Sequence, residues 1–95
     1  MTPEEVRNTL LRTLTEIQQL SGRPVPVFSD VLCPAEDLEG FDSQNAEEAA
    51  IMLEQELGCE IDTNLFVSED GDRHLRIGEV VEALCQLLNG RSKKA

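Results

Sequence analysis

The chain has little aromatic character and few basic residues. Its 95 residues include no Trp and no Tyr, and the only aromatic side chains are three Phe. Such a chain lacks the aromatic surfaces on which single-stranded nucleic acids stack. Only 8 Lys and Arg residues stand against 19 Asp and Glu residues, which gives a net charge of -11. That balance disfavours binding to a phosphate backbone, so no nucleic-acid partner is expected.

Long apolar runs are also missing, so neither a signal peptide nor a membrane span is expected. The three cysteines, Cys33, Cys59 and Cys85, are odd in number and widely spaced. This pattern predicts free thiols in a reducing cytoplasm. Cys59, near a turn, is expected to be the exposed thiol, and Cys85 is expected to be a small core residue.

Patterns for catalysis and metal binding are equally sparse. His74 is the only histidine, and one imidazole with scattered cysteines does not make a zinc site. Asp70, Asp72 and Glu79 lack the ladder of oxygen ligands that a calcium loop needs. Ser43 has no base beside it in the sequence. The chain by itself is therefore not expected to be an enzyme or to hold a metal ion.

Helical periodicity dominates what is present, and it predicts an all-α fold: a small up-and-down bundle of three or four helices. Residues 1–90 form one domain, with 91–95 as a frayed basic tail. The first helix is predicted to start at Thr2-Pro3 and to end at Gly22. The second extends from Asp42 or Ser43 to Gly58, and the last from about Ile77 to Asn89, with Gly90 as its stop. The predicted core stripes are Val6/Leu10/Leu14/Ile17, Ala46/Ala50/Leu53/Leu57 and Val80/Leu84/Leu87.

Two connections are less regular. Three prolines interrupt the stretch 23–41, yet its apolar residues predict a loop packed across the domain, with short turns around Asp30 or Glu36. The apolar residues are Val25, Val27, Phe28, Val31, Leu32 and Leu38. Further on, Asp62 is expected to cap one short helical turn that places Leu65 and Phe66 inward. Asp70-Gly71 is compatible with either a hairpin turn or a plain loop.

Charge of one sign is concentrated in the middle of the chain. From Pro24 through Asp72 there is no Lys or Arg, whereas fourteen Asp or Glu residues lie in that interval. Several of them are on the second helix, namely Glu47, Glu48, Glu54 and Glu56. They are interpreted either as a solubility feature or as a docking face for basic partners, and their crowding on one helix favours docking.

The start of the second helix carries a further pattern. Taken alone, Asp42-Ser43 is an ordinary helix cap. Its surroundings, however, extend from Asp37-Leu38-Glu39-Gly40-Phe41-Asp42-Ser43 through Leu53-Glu54-Gln55-Glu56-Leu57-Gly58 and Glu60-Ile61-Asp62. Leu75-Arg76-Ile77-Gly78-Glu79-Val80-Val81 continues the pattern into the last helix. Over about Val6 to Leu88 the chain resembles the acyl and peptidyl carrier protein family.

The resemblance implies both a cofactor and partners. Ser43 would carry 4'-phosphopantetheine, transferred from coenzyme A by a magnesium-dependent phosphopantetheinyl transferase, with Asp42 beside the attachment site. Basic patches on that transferase and on acyl-processing enzymes would bind the acidic face formed by Glu47, Glu48 and Glu54. By this resemblance the chain is a monomeric, cytoplasmic carrier in lipid or secondary-metabolite biosynthesis, with a short third helix in its fold.

Several positions depart from the family pattern. Gln44 replaces the leucine that normally follows the serine, and Glu47 replaces an apolar contact residue. Arg76 stands where a Thr or Ser would cap the last helix, and the loop 68–74 is longer than in the simplest members. The resemblance therefore implies a specialised acyl or aminoacyl carrier. The alternative is an unmodified carrier-like domain that docks proteins through its acidic second helix.

Overall fold

The computed structural model describes residues 2–61, 65–68, 71 and 73–94, with only the backbone described for residues 89–94. Within these ranges the chain forms helices and no β-strand. The helices are α1 (Pro3–Leu20), α2 (Pro34–Asp37), α3 (Ser43–Leu57) and α4 (Ile77–Lys94). Helix α1 packs against both α3 and α4. The predicted all-helical bundle is confirmed.

Helix α1 begins and ends where its local signals predict. The Thr2 hydroxyl accepts a hydrogen bond from the Glu5 N–H at 3.2 Å, and the Thr2 N–H donates to Oε1 of Glu5 at 3.0 Å. This reciprocal pair is the predicted capping box. The hydrogen bond from the Thr2 backbone lowers the pKa of the Glu5 carboxyl below its ordinary value. At the other end Gly22 adopts a left-handed conformation, with φ of 69°.

The core joins one stripe from each long helix. Helix α1 contributes all four residues of its predicted stripe, and each is buried. Helix α3 contributes Ala50 and Leu53 as predicted, together with Ala49, whereas Ala46 and Leu57 are only half-buried. The remaining buried apolar residues around them are Leu38, Phe41, Cys59, Ile61, Leu65, Phe66, Ile77, Val80 and Leu84. Leu65 and Phe66 lie inward as expected.

Leu87 is a correction to the predicted core. Its side chain is 36 % exposed, and it lines an open groove of about 880 Å³ beside Gly58, Cys59 and Ile61. Helix α3 ends at Leu57, and the groove lies beside the turn that follows this helix end. Leu88, one position further along, packs against the core instead.

The first loop packs through fewer side chains than predicted. Leu38 is buried, and Phe28 and Leu32 pack half-buried against the core. Val25, Val27 and Val31 are instead 39 %, 94 % and 72 % exposed, so their expected packing is wrong. The two short turns are confirmed, one as helix α2 and one where the Leu32 N–H donates to the Ser29 carbonyl at 3.1 Å.

Backbone groups of this loop cap helix α4. The Ile77 N–H donates to the Leu32 carbonyl at 2.8 Å, and the Gly78 N–H donates to the Asp30 carbonyl at 3.0 Å. These bonds satisfy donors that the first helical turn leaves without partners. Asp30 is in turn fixed by Arg7, whose Nε lies 2.7 Å from Oδ1. The loop thus supplies hydrogen-bond acceptors for the first turn of α4, a role that a Ser or Thr side chain in place of Arg76 would otherwise have.

Glu79 completes the start of α4. Its Oε1 accepts a hydrogen bond from the Arg76 N–H at 3.0 Å, and its two oxygens pair with the Arg73 guanidinium at 3.1 and 2.6 Å. The hydrogen bonds from Arg73 and then from the Arg76 backbone lower the pKa of Glu79 from 4.5 to about 2. This carboxylate therefore pairs with an arginine of the same chain.

The segment before α4 contains an isolated antiparallel bridge. Val67 and His74 form an antiparallel bridge, and the Leu75 N–H donates to the Phe66 carbonyl at 2.8 Å. On the turn side the Ser68 N–H donates to the Arg73 carbonyl at 2.9 Å. This bridge brings Val67 beside His74, whereas the predicted Asp70-Gly71 turn, whose Asp70 is not described, stays a prediction. Asp62, Asp70 and Asp72 lie outside the described residues, and with Asp62 the predicted turn at that position.

Helix α4 is longer than predicted. It continues through Gly90 to Lys94, so the expected stop at Gly90 and the frayed segment after it are corrected. A single glycine inside a helix costs only about 1 kcal/mol relative to alanine, so it does not end a helix by itself. Basic residues near a helix C-terminus are electrostatically favourable. No helix in the described part of the chain is long and apolar enough to span a membrane.

Candidate functional site

The start of α3 separates the roles of Asp42 and Ser43. Asp42 is the N-cap, and its Oδ1 accepts a hydrogen bond from the Asn45 N–H at 3.0 Å. Ser43 is the first residue of the helix, and its side chain is exposed. Among the described residues its hydroxyl makes no hydrogen bond. The sequence is compatible with either residue as the cap. The structure assigns the cap to Asp42, and the serine hydroxyl has no partner in the part of the chain that is described.

The segment before the helix is fixed by groups that the sequence did not single out. Gln18 is fully buried, and its Nε2 donates to the Glu39 carbonyl at 3.2 Å and to the Pro24 carbonyl at 3.3 Å. Nη1 of Arg23 donates to the Gly40 carbonyl. These contacts join residues 21, 6 and 17 positions apart, so no local periodicity could have indicated them.

Phe41 provides a third anchor for the same segment. Its ring meets the ring of Phe66 edge to face, with centroids 5.4 Å apart and an interplanar angle of 77°. Such aromatic pairs contribute about 0.5–1.5 kcal/mol beyond the apolar area that they bury. Both rings are buried. Ser43 is therefore only two positions after a phenylalanine that is anchored in the core.

A cavity of about 380 Å³ opens beside Ser43. Its lining is mostly apolar, with a polar rim that includes Glu47 and His74; the complete lining is Ala35, Phe41, Asp42, Ser43, Ala46, Glu47, Phe66, Val67 and His74. Nδ1 of His74 lies 3.5 Å from Oε2 of Glu36. No hydrogen bond joins His74 to Ser43 in the described part of the chain, so these two side chains do not form a nucleophile–base pair there. The expectation that this chain is not an enzyme remains a prediction.

The three acidic residues predicted for docking differ in their surroundings. Glu47 and Glu48 are exposed, and neither forms an ion pair among the described residues. Glu54 is half-buried, and its Oε1 accepts a hydrogen bond from the Ile61 N–H at 2.8 Å. Glu56, the last residue but one of the helix, pairs with Arg12 at 3.2 Å. The unpaired acidic surface is thus the half of α3 nearest Ser43.

Two of the three thiols are buried, and the third is half-buried. Cys59 is only 6 % exposed, so the expectation of an exposed thiol is wrong. Gly58 adopts a left-handed conformation that turns the chain back at the end of α3, and this turn places Cys59 inward. Cys33 is also buried, and burial raises the pKa of its thiol. Cys85 is half-buried against the core, as expected.

A comparison of the chain with protein-family models, with curated proteins and with solved structures found no match. Any function assigned to the chain therefore rests on the residues around Ser43 and on the acidic half of α3.

Proposed function

We propose that this chain is a specialised acyl or aminoacyl carrier, with 4'-phosphopantetheine attached to Oγ of Ser43. The observation that supports the proposal is that Asp42 and Ser43 have different roles at the start of α3. Asp42 caps the helix, so the hydroxyl of Ser43 is left exposed, and it has no partner within residues 2–61, 65–68, 71 and 73–88. The resemblance of residues 37–62 to the acyl and peptidyl carrier family supplies the cofactor.

The helix start suits a phosphodiester. Oγ of Ser43 would form a new P–O bond to the phosphopantetheine phosphorus while the P–O–P bond of coenzyme A breaks. Adenosine 3',5'-bisphosphate would leave, and the serine proton would pass to a base of the magnesium-dependent transferase. The N–H groups of Ser43 and Gln44 have no acceptor among the described residues. Free N–H groups and the positive end of the helix dipole both favour an anion at this position.

The arm would end in a thiol that carries the acyl group as a thioester. The cofactor supplies the reactive group, and the protein supplies its position and its recognition. Glu47 and Glu48 lie one turn beyond Ser43 and are exposed, which favours basic partner surfaces that dock and leave quickly. A reducing cytoplasm is the proposed setting, and the three free cysteines support it.

A second candidate function is an interaction domain that is never modified. Gln44 favours it, because an exposed polar amide follows the serine where the carrier family has leucine. The acidic surface at Glu47 and Glu48 would serve partner docking in either case. Modification of Ser43 distinguishes the two functions.

The experiment is incubation of the chain with coenzyme A, magnesium and a broad-specificity phosphopantetheinyl transferase, followed by intact mass measurement. Wild type should gain one arm, and Ser43→Ala should gain none. Ser29→Ala is the matched control, because Ser29 is also exposed but lies in the first loop, and it should be labelled like wild type.

Gln44→Leu tests the departure from the family pattern. An amide facing an apolar pocket on a general transferase loses hydrogen bonds at a cost of about 1–3 kcal/mol, which corresponds to roughly ten- to hundredfold slower transfer. Gln44→Leu should therefore speed labelling. If wild type and Gln44→Leu both remain unlabelled, and protein from the native host is also unmodified, the interaction-domain alternative replaces the carrier function.

A further inference from the structure

One arginine lies against the segment that leads into Ser43. Nη1 of Arg23 donates to the Gly40 carbonyl. Its guanidinium also covers the Cα of Gly40 so closely that a Cβ built there would collide with Cζ, Nε and Nη1. Gly40 has φ of 69°, a left-handed conformation that glycine adopts without strain. The glycine therefore serves both the backbone turn and the approach of Arg23.

The same guanidinium reaches the first turn of α3. When the Asn45 amide is oriented to satisfy both of its neighbours, its oxygen accepts from Nη1 of Arg23 at 3.3 Å and its nitrogen donates to Oδ1 of Asp42 at 3.1 Å. Arg23 thus contacts the chain on both sides of Asp42-Ser43: Gly40 before the cap and Asn45 after it. A planar guanidinium with several fixed donors suits this role better than a lysine ammonium, which is a compact point charge.

We propose that Arg23 is a positioning residue for Ser43, which fixes the direction in which the helix start presents the serine hydroxyl to the transferase. This inference rests on the proposed carrier function. Transfer to Ser43 requires its Oγ to be in line with the pyrophosphate of coenzyme A, and small misplacements of a reacting atom are costly. Arg23 acts on this geometry through Gly40 and Asn45 without touching the reacting atoms.

The test compares the kinetics of Ser43 labelling in three arginine variants, at a temperature where all are folded. Arg23→Gln should lower kcat for transfer by about fivefold with a smaller change in KM, because the serine is misplaced after the complex forms. Arg12→Gln is the matched control. It removes one arginine of the same bundle whose partner, Glu56, lies at the far end of α3 from Ser43. It should change kcat by less than about twofold.

Arg23→Lys separates position from charge. If position is what matters, lysine restores little of the lost kcat. Full recovery with lysine would overturn the proposal, because it would show that only the positive charge is needed. Gly40→Ala should displace the guanidinium, and adding Arg23→Gln to it should cause little further loss, because both substitutions break one contact.

Amide chemical shifts provide a readout that is independent of labelling. In unmodified protein, Arg23→Gln should move the amide resonances of residues 41–45, and Arg12→Gln should leave them unchanged. Labelled wild type together with an Arg23→Gln variant of equal kcat would overturn this inference alone. Wild type that accepts no arm would contradict the proposed function, and unmoved amide resonances in Arg23→Gln would still contradict the contact itself.

Discussion

Oε1 of Glu54 accepts a hydrogen bond from the backbone N–H of Ile61 at 2.8 Å, which ties the last turn of α3 to the chain that follows it. Ile61 is buried, and the intervening residues make the turn through Gly58. Glu54 therefore holds the end of α3 against the core, whereas Glu47 and Glu48 make no such bond to any residue that the structure describes. Of the three acids predicted to dock partners, one has a structural partner within the chain.

Glu54→Ala should destabilise the fold more than Glu48→Ala. Removing the acceptor leaves a part-buried N–H without a partner, at a cost of about 1–2 kcal/mol. Glu48 is exposed, and its truncation should change the free energy of unfolding by less than about 0.5 kcal/mol. Urea denaturation of both variants measures the difference, and equal stabilities would show that the Glu54–Ile61 bond contributes nothing.

Reversal of Glu47 and Glu48 to Lys should slow association with a phosphopantetheinyl transferase while leaving the fold intact. The wild-type association rate should also fall as salt rises, because exposed charges are screened beyond about 8 Å at physiological ionic strength. Stopped-flow measurement at several salt concentrations tests both expectations.

The control for this reversal is Glu16→Lys combined with Glu4→Lys, which makes the same change in net charge on exposed positions of α1. It should slow association less than the α3 reversal does. Equal slowing in both double variants would indicate that association depends on net charge and not on the position of the charges. An association rate that does not change with salt would indicate that the acidic residues contribute only to solubility.

Helix ends could be predicted from the sequence because their signals are local. Thr2 and Glu5, three residues apart, form the predicted capping box, and Gly58 closes α3 in the expected left-handed conformation. Asp42-Ser43 is recognisable as a helix start for the same reason. Which of the two residues caps the helix depends on backbone geometry, which the sequence pattern does not specify.

Contacts across the fold could not be predicted, because they depend on which segments meet. Val27 and Leu38 are both apolar residues of the first loop, yet one is exposed and the other is buried. A loop has no period that separates inward from outward positions. The contact of Arg23 with Gly40 joins residues 17 positions apart and follows no motif.

Truncation of Leu53 should show how far burial decides stability in this small core. Its side chain is fully buried between α3 and the neighbouring helices, so Leu53→Ala should cost about 2–5 kcal/mol. Leu87→Ala is the matched control at a groove wall, and it should cost less than about 1 kcal/mol. Thermal or urea unfolding gives both values. A small loss at Leu53, or a loss at Leu87 as large as at Leu53, would contradict the described packing.

Glu79 should make stability depend on acid pH in a specific direction. Its pKa is lowered from 4.5 to about 2 by hydrogen bonds from Arg73 and from the Arg76 backbone. Because the folded-state pKa is the lower one, its contribution is fully present above the unfolded value and is lost as pH falls through the folded value. The difference in unfolding free energy between wild type and Glu79→Gln should therefore be constant above about pH 5 and shrink as pH approaches 2. Carboxyl carbon NMR measures the pKa directly, and Arg73→Gln should raise it toward 4.5. A Glu79 carboxyl that already titrates near 4.5 in wild type would contradict the described ion pair.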